Sequence, residues 1–332
     1  YNTLEEVRLA SEGIPITFFE GTTIAAFLAF SRINADVCII ETGMGGRLDA
    51  TNVIRPIMSI ITSISLEHTG FLGPTVEIIA GEKCGIMKEG ITCIVSPQQS
   101  SVMQVIESYA IRNHSPIYRG GIDWFSYRSS HHMIFETNLY KIELPLPNLK
   151  GNHQIINAGN AIAACTVLSG KYNYDLDEEH IYNGLTNAYW PARIEKIEKI
   201  PLPEKWQLFL DGAHNPSGAE VLSSWIDDNF DIHDLHFIVG MTRDKDSQSF
   251  LLHLKPYIRT LYTVCVKSEP RSQPSEELAQ TAAQMGINAK ACDSITDAIN
   301  AILKCNQNKQ NQTIIVCGSL FLAGDLHKTY ST

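Results

Sequence analysis

A chain of 332 residues with 44% hydrophobic and 19% charged side chains has the apolar content for two folded domains and is too apolar to be a disordered segment. Its net charge of −10 argues against a general nucleic-acid binder, whose affinity comes from lysines and arginines that neutralise phosphates, but leaves room for a small anion held by a few local cations. No apolar run approaches the roughly 20 residues of a bilayer span and no basic segment leads an apolar one at the start, so neither a membrane segment nor a secretory signal is read.

Taken in order, the chain opens at Tyr1 on an amphipathic stretch, and TTIAAFLAFSRIN (22–34) predicts a helix capped by Thr22 or Thr23. DVCIIE (36–41) predicts a buried strand, and PIMSIITSIS (56–65) contains another. TVEIIAGEKCGIMK (75–88) has helical spacing, and ITCIVS (91–96) returns as a strand. From Pro116 to Leu146 apolar and polar residues alternate, which predicts a small antiparallel sheet appended to the first domain. NHQIINAGNAIAACTVLSG (152–170) is an Ala-rich helix closed by Gly170 as its C-cap. YWPARIEKIEKIPLPEKW (189–206), with its prolines and alternating charges, places a domain boundary around Arg193 to Pro203. Beyond it the βα rhythm restarts with QLFLDGAHNP, a helix, LHFIVGMTRDKD, a helix, TLYTVCVKS, two helices, TIIVCGS and a last short helix. The eight cysteines (38, 84, 93, 165, 265, 292, 305, 317) contain no C-x-x-C pair; they argue against zinc and read as reduced, mostly buried thiols of a cytoplasmic protein.

The stretch VCIIETGMGGRLDATN (37–52) ends a strand in a glycine loop, the usual place for a nucleotide phosphate. A dinucleotide turn needs G-x-G-x-x-G, but Gly43, Gly45 and Gly46 fall as G-x-G-G and Leu48 stands where the third glycine belongs. The P-loop pattern G-x-x-x-x-G-K-[ST] occurs nowhere in these residues. By spacing, this is not a nucleotide loop.

The series ETGMGGRLDATN, TSISLEHTGFLGPT, IAGEKCGIMK, GNHQIINA, WPARIE, LDGAHNP, GMTRDKD and CGSLFLAGD, with ITFFEGTTIAAFLAF ahead of it, resembles the folylpolyglutamate synthase / dihydrofolate synthase family of Mur-ligase-type ATP-dependent amide ligases. The resemblance covers essentially the whole chain. It implies an α/β fold of the Mur-ligase type: a central ATP-binding domain of P-loop type over 1–195, without its P-loop start and carrying the small antiparallel sheet, then a Rossmann-like, doubly wound glutamate-ligase domain over 196–332. The P-loop itself is expected ahead of Tyr1, which leaves the activity of these 332 residues alone in question. Ala192 departs from the family, which usually shows glycine in P-G-R.

The implied reaction uses ATP and Mg²⁺ to add L-glutamate to dihydropteroate, to folate or to both, through an acyl phosphate, in a cytoplasmic monomer with small-molecule substrates and no nucleic acid or membrane partner. Substrate is expected between the domains, with hinge closure around Arg193 assembling the site. Glu41 closes the first predicted strand and His68 lies three residues past the second; as residues, Glu41 is equally a turn glutamate, and a lone histidine after a strand is more often a hydrogen-bonded loop residue, but the resemblance makes both metal ligands. Lys83 shares a helical face with Ile79 and Met87 and reads either as a snorkelling lysine or as a buried amine with a depressed pKa, open to CO₂. The family's lysine at this motif, often carbamylated, implies a metal-binding and catalytic role. Thr17, Phe19, Asp49 and Ala50 match positions that line the family's pterin pocket, where Phe19 can stack. Asn157, Arg193, Asp211 and His214 are the implied ATP residues, His214 also catalytic; Lys245 and Ser319 fall in family motifs without a stated role. A peptidoglycan Mur ligase and a non-catalytic remnant of the family are the alternatives.

Overall fold

The computed structural model describes residues 1–230, 235–307 and 309–330, and the chain divides into two compact units. The first comprises Tyr1–Ser126, Phe135–Lys141 and Gly159–Asp175; the second comprises Tyr127–Ile134, Ile142–Ala158 and Leu176–Thr332.

Helices α1 (Asn2–Ala10) and α2 (Phe18–Arg32) open the first unit. Helix α2 starts earlier than predicted because Thr17, not Thr22 or Thr23, is its cap. The Thr17 hydroxyl accepts the Glu20 N–H at 3.1 Å while the Glu20 carboxylate takes the Thr17 N–H at 2.7 Å, a reciprocal capping box. Thr22 instead bonds back to the carbonyl of Phe18, inside the helix.

Strands β1 (Met58–Ile61), β2 (Thr92–Val95) and β3 (Ile117–Arg119) form a parallel sheet in that order, with Ile60 opposite Ile94. The buried strand predicted over 36–41 is a correction: the segment is neither strand nor buried, and Ile39 is 90% exposed. An apolar, β-prone run is buried only where a neighbouring strand pairs with it, and among the described residues β1 pairs only with β2. Helices α3 (Thr69–Leu72), α4 (Val76–Cys84) and α5 (Ser100–Arg112) follow. Helix α4 stops at Gly85, short of the predicted 88. Ile79, Cys84, Cys93, Val95 and Ile106 fill the core against this sheet.

Strands β4 (Trp124–Ser129), β5 (His132–Thr137) and β6 (Lys141–Pro145) make a separate sheet in sequence order. The linkers Ser130–His131 and Asn138–Tyr140 are too short for a crossover, so the pairing is antiparallel, as the alternation predicts. Helix α6 (Asn152–Tyr172) runs through Gly170 instead of stopping there. Its end is set by Asn173, which takes the left-handed conformation at φ 58°, and by the Tyr172 hydroxyl, which donates to the Ile57 carbonyl at 2.6 Å. Helix α7 (Glu178–Asn187) is capped by Asp177.

The second unit is built on a six-stranded sheet of β7 (Glu195–Lys196), β8 (Gln207–Leu210), β9 (Leu235–Val239), β10 (Leu261–Val264), β11 (Ala289–Cys292) and β12 (Thr313–Cys317), in the order β11-β10-β9-β12-β8-β7. All neighbours are parallel except β7 and β8. Successive strand residues point to opposite faces. Phe209, Phe237 and Ile315 pack with α8 (Pro216–Asn229), α9 (Ser247–Leu254) and α10 (Ser275–Gln284). Leu208, Ile238 and Val316 pack on the other side with α11 (Ile295–Cys305) and α12 (Leu320–Tyr330). Both faces are covered, the doubly wound arrangement the βα rhythm implies. Strand β11 is an addition between two helices that the sequence pattern places in succession: AKAC has little β propensity, and as a half-exposed edge strand it needs little.

Phe237 is fully buried at the centre of this sheet, so Phe237→Ala is expected to cost about 3–5 kcal/mol in urea unfolding, whereas Ile39→Ser changes stability by no more than about 0.5 kcal/mol. Equal losses at the two positions would contradict this distribution of burial.

Candidate functional site

Two groups of predicted site residues assemble, one in each unit. In the first, the Asp49 carboxylate organises the glycine loop. One oxygen accepts the N–H groups of Gly43 and Met44, both at 2.9 Å; the other accepts the Thr51 N–H at 3.0 Å and the Thr51 hydroxyl at 2.6 Å. Partial burial would push its pKa up, but these donors outweigh it and hold the carboxyl below its ordinary value. The glycines serve close approach. A Cβ on Gly46 would lie 3.0 Å from the carbonyl oxygens of Glu82 and Lys83, and Gly85 has no room for one against the Arg47 backbone. The loop thereby docks on the last turn of α4, where the Arg47 N–H donates to the Glu82 carbonyl at 2.8 Å and the Arg47 guanidinium meets the Glu82 carboxylate at 2.9 Å.

Phe19 stands over Gly43, where a Cβ would run into its ring, and remains 41% exposed. Ala50 opens a short 3₁₀ turn capped by Asp49. The hydroxyl of Thr17 is committed to the capping box. Of the four residues expected around the pterin, Phe19 offers an open apolar face, while Thr17 and Asp49 use their polar atoms to hold the backbone.

Glu41 lies in the exposed segment without regular structure, and His68 is exposed in the left-handed conformation (φ 48°) as the residue capping α3. Because β1 ends at Ile61, His68 sits farther from a strand than the three residues expected. The Lys83 ammonium donates to Glu67 at 2.8 Å, with 22% of its side chain exposed. Among the described residues no group of three or more His, Cys, Asp or Glu side chains is placed to hold a metal. Magnesium commonly takes only one or two protein ligands and completes its shell with phosphates and water, so a full protein cage is not required around Glu41 and His68.

In the second unit the site is a tongue, Ala192–Ile194, at the carboxyl end of β8. Glu195 pairs with Leu210 across the β7–β8 ladder, which lays the tongue over Asp211 and Gly212. The Gly212 N–H donates to the Ala192 carbonyl at 2.8 Å. The buried Asp211 carboxylate accepts the N–H groups of Ile194 (2.9 Å) and Ala213 (2.8 Å). Burial pushes its pKa up, against the pull of those two donors and of the Arg193 charge. Ala192 (φ 56°) and Ile194 (φ 50°) are both left-handed, an unusual state for an alanine and strained for a β-branched residue. Between them Arg193 projects, exposed. His214 donates from Nδ1 to the Gly212 carbonyl at 2.9 Å, just ahead of α8, whose cap Asn215 accepts the Gly218 N–H. Asn157 is exposed and donates to Gln154 at 3.0 Å. Ser319 is buried and its hydroxyl accepts the Phe321 N–H, while Lys245 pairs with Asp244 at 3.8 Å.

Three residues to which the sequence pattern assigns no role belong to this group. His153, in the GNHQIINA stretch, lies beside Arg193; burial first, and then the Arg193 charge, push its pKa down to about 4, so the ring is neutral at pH 7. The Glu195 carboxylate accepts the Ala192 N–H at 2.8 Å and the Tyr189 hydroxyl at 2.6 Å, and pairs with His327 Nε2 of α12 at 2.9 Å. His153 and Glu195 stand inside family motifs; His327 carries no local signal.

Residues 6–165 match the Mur ligase middle domain family, and residues 195–329 match the family described as dihydrofolate synthetase, C-terminal domain. The chain is 30% identical over 318 residues to the dihydrofolate synthase/folylpolyglutamate synthase of Bacillus subtilis, covering 94% of this chain and 72% of that protein. Its fold is similar to E. coli FolC in complex with DHPP and ADP, with a TM-score of 0.87 and 29% identity, covering 99% of this chain and 74% of that one. A bifunctional folylpolyglutamate synthase/dihydrofolate synthase with Mn, AMPPNP and L-glutamate bound aligns at a TM-score of 0.84 and 27% identity, over 99% of this chain and 75% of that one.

Two expectations follow from the tongue and its neighbour. Ala192→Gly removes a left-handed penalty, so it is expected to leave stability unchanged or raise it by about 0.5–1 kcal/mol; a loss above about 1 kcal/mol in urea unfolding would refute the strain. The imidazole of His153 binds its proton less readily folded (about 4) than unfolded (ordinarily 6.5), so the unfolded state holds more protons between those values and stability falls as pH drops through that window. The wild type is therefore expected to lose up to about 3 kcal/mol more than His153→Gln between pH 7 and 4. Equal losses would show that the ring is not held neutral.

Proposed function

The chain belongs to the dihydrofolate synthase/folylpolyglutamate synthase family of ATP-dependent ligases, and from that premise we propose that it joins L-glutamate to the carboxylate of dihydropteroate, of folate or of both. The division at 195/196 would separate a Mur-type central domain from a glutamate-ligase domain, a reading supported by the C-terminal family match, which begins at residue 195; the Mur middle-domain match ends earlier, at residue 165. The ligation has two steps. A carboxylate oxygen of the acceptor attacks the γ-phosphorus of ATP; the bond to the β,γ-bridging oxygen breaks and ADP departs. The glutamate amine then attacks the acyl carbon, phosphate leaves with the C–O bonding pair, and the nitrogen gives up a proton to leave an amide.

The observation that carries this reading is the Arg193 tongue. A guanidinium held out from a fixed backbone suits phosphate oxygens, and it neutralises charge as the γ-phosphoryl group moves. Asp211 keeps that backbone in place, and His214 sits ahead of α8, whose first turn favours an anion. Asn157 has an exposed amide for the adenine edge. In the first unit Phe19 offers a ring to a flat pterin beside a loop that Asp49 keeps in shape. Lys83, as the ammonium paired with Glu67, supplies a cation for the acyl phosphate; carbamylation would instead require that pair to break. Glu41 and His68 are the residues that would contact Mg²⁺, which neutralises phosphate charge when it enters with ATP.

The test is ligation by the native enzyme with MgATP, L-glutamate and either dihydropteroate or a reduced folate, read as a glutamylated product by mass and as released phosphate. Arg193→Ala is expected to lower kcat/KM for ATP by about 100-fold or more while the protein still unfolds cooperatively. Nucleotide binding with no product from either acceptor would leave the chain a non-catalytic member of the family. Turnover with a UDP-sugar carboxylate alone would replace the pterin reading with a peptidoglycan one.

A further inference from the structure

We propose that Glu195 is the positioning residue for Arg193, with His327 and Tyr189 fixing the carboxylate in the orientation that task needs. The inference rests on the phosphate-binding reading of Arg193 and extends it to three residues that need not touch substrate.

Arg193 has an unusual backbone on either side, left-handed at Ala192 and at Ile194. Such a turn relaxes unless its N–H groups are held, and each flank has its own carboxylate. Asp211 takes the N–H of Ile194. Glu195 takes the N–H of Ala192 with the same oxygen that pairs with His327. Its other oxygen receives the Tyr189 hydroxyl, and hydrogen bonding to that carboxylate raises the Tyr189 pKa. With only 10% of its side chain exposed, Glu195 is shielded from the water that would otherwise compete for those donors.

The clasp is also long-range. Tyr189 and Glu195 flank the tongue in sequence, but His327 comes from α12, which packs on the sheet through Leu322, Ala323 and Leu326. Helix α12 is capped by Ser319 at the end of β12, the strand beside β8. The orientation of the carboxylate is thus referred to the rigid sheet and not to the loop it holds.

Positioning and simple structural support are separated by steady-state kinetics on the native enzyme with ATP as the varied substrate, alongside urea unfolding of every variant. Glu195→Ala is expected to lower kcat/KM for ATP by about tenfold or more, His327→Gln by about threefold or more, and Glu195→Gln, which keeps a carbonyl oxygen for the Ala192 N–H, by less than about threefold. Tyr189→Phe alters an exposed side chain by one hydroxyl; it is expected to raise the KM for ATP about twofold or more with an unchanged unfolding midpoint. The decisive variant combines Glu195→Ala with Arg193→Ala. If Glu195 acts through Arg193, the double variant is no worse than Arg193→Ala alone, within about twofold. Multiplying losses would overturn the positioning role while leaving the phosphate role of Arg193 intact. An Arg193→Ala enzyme with unchanged kcat/KM for ATP would overturn both.

Discussion

The carboxylate of Asp211 is the fixed point of the second unit's site. Buried at the end of β8, it is costly to leave charged and unpaired, and two backbone N–H groups satisfy it from opposite sides of the turn. One of these donors is Ile194, in the tongue, and the other is Ala213, at the start of the segment that carries His214 into α8. A single oxygen pair therefore sets the distance between the arginine loop and the helix N-terminus. A glutamine or a hydroxyl there would offer a single accepting oxygen, leaving one of the two N–H groups without its own acceptor.

The same device recurs in the first unit with a different partner. Asp49 uses both oxygens on backbone and hydroxyl donors of its own loop, and the glycines then let that loop lie against α4. The glycine loop is thus a docking element whose small residues admit a helix end, in keeping with the absence of any phosphate-binding spacing. In both units acidic residues shape the main chain, and Phe19, Arg193 and Asn157 are left exposed.

The legible parts of the sequence are those governed by periodicity. The alternation of strands and helices after Trp206 predicts a sheet covered on both faces, because Phe209 and Leu210 must point opposite ways in any strand. The order of motifs carries the family. What stays hidden is decided by partners elsewhere in the chain. DVCIIE has the composition of a buried strand, yet burial needs a paired neighbour that no local pattern encodes. Thr17 lies outside the predicted helix because it and its capping partner Glu20 both precede the apolar run that marks the helix. Glu195 is visible as the end of WPARIE, but its role depends on His327, more than a hundred residues on.

The magnitudes explain why a tongue with two left-handed residues is a stable feature. Each such conformation costs roughly 1–2 kcal/mol in an L-residue, and more where the side chain is β-branched. Against this stand two hydrogen bonds from tongue N–H groups, Ala192 and Ile194, to shielded carboxylates, at about 1.5–3 kcal/mol each, and the Gly212–Ala192 bond besides. The balance favours the strained form by a few kcal/mol, so the tongue persists without any ligand. Removing one carboxylate brings the two sides near equality, and the arginine would then sample other orientations. The geometry of Arg193 is the small difference between backbone strain and the hydrogen bonds that oppose it, so a residue outside the tongue can govern how the arginine is presented.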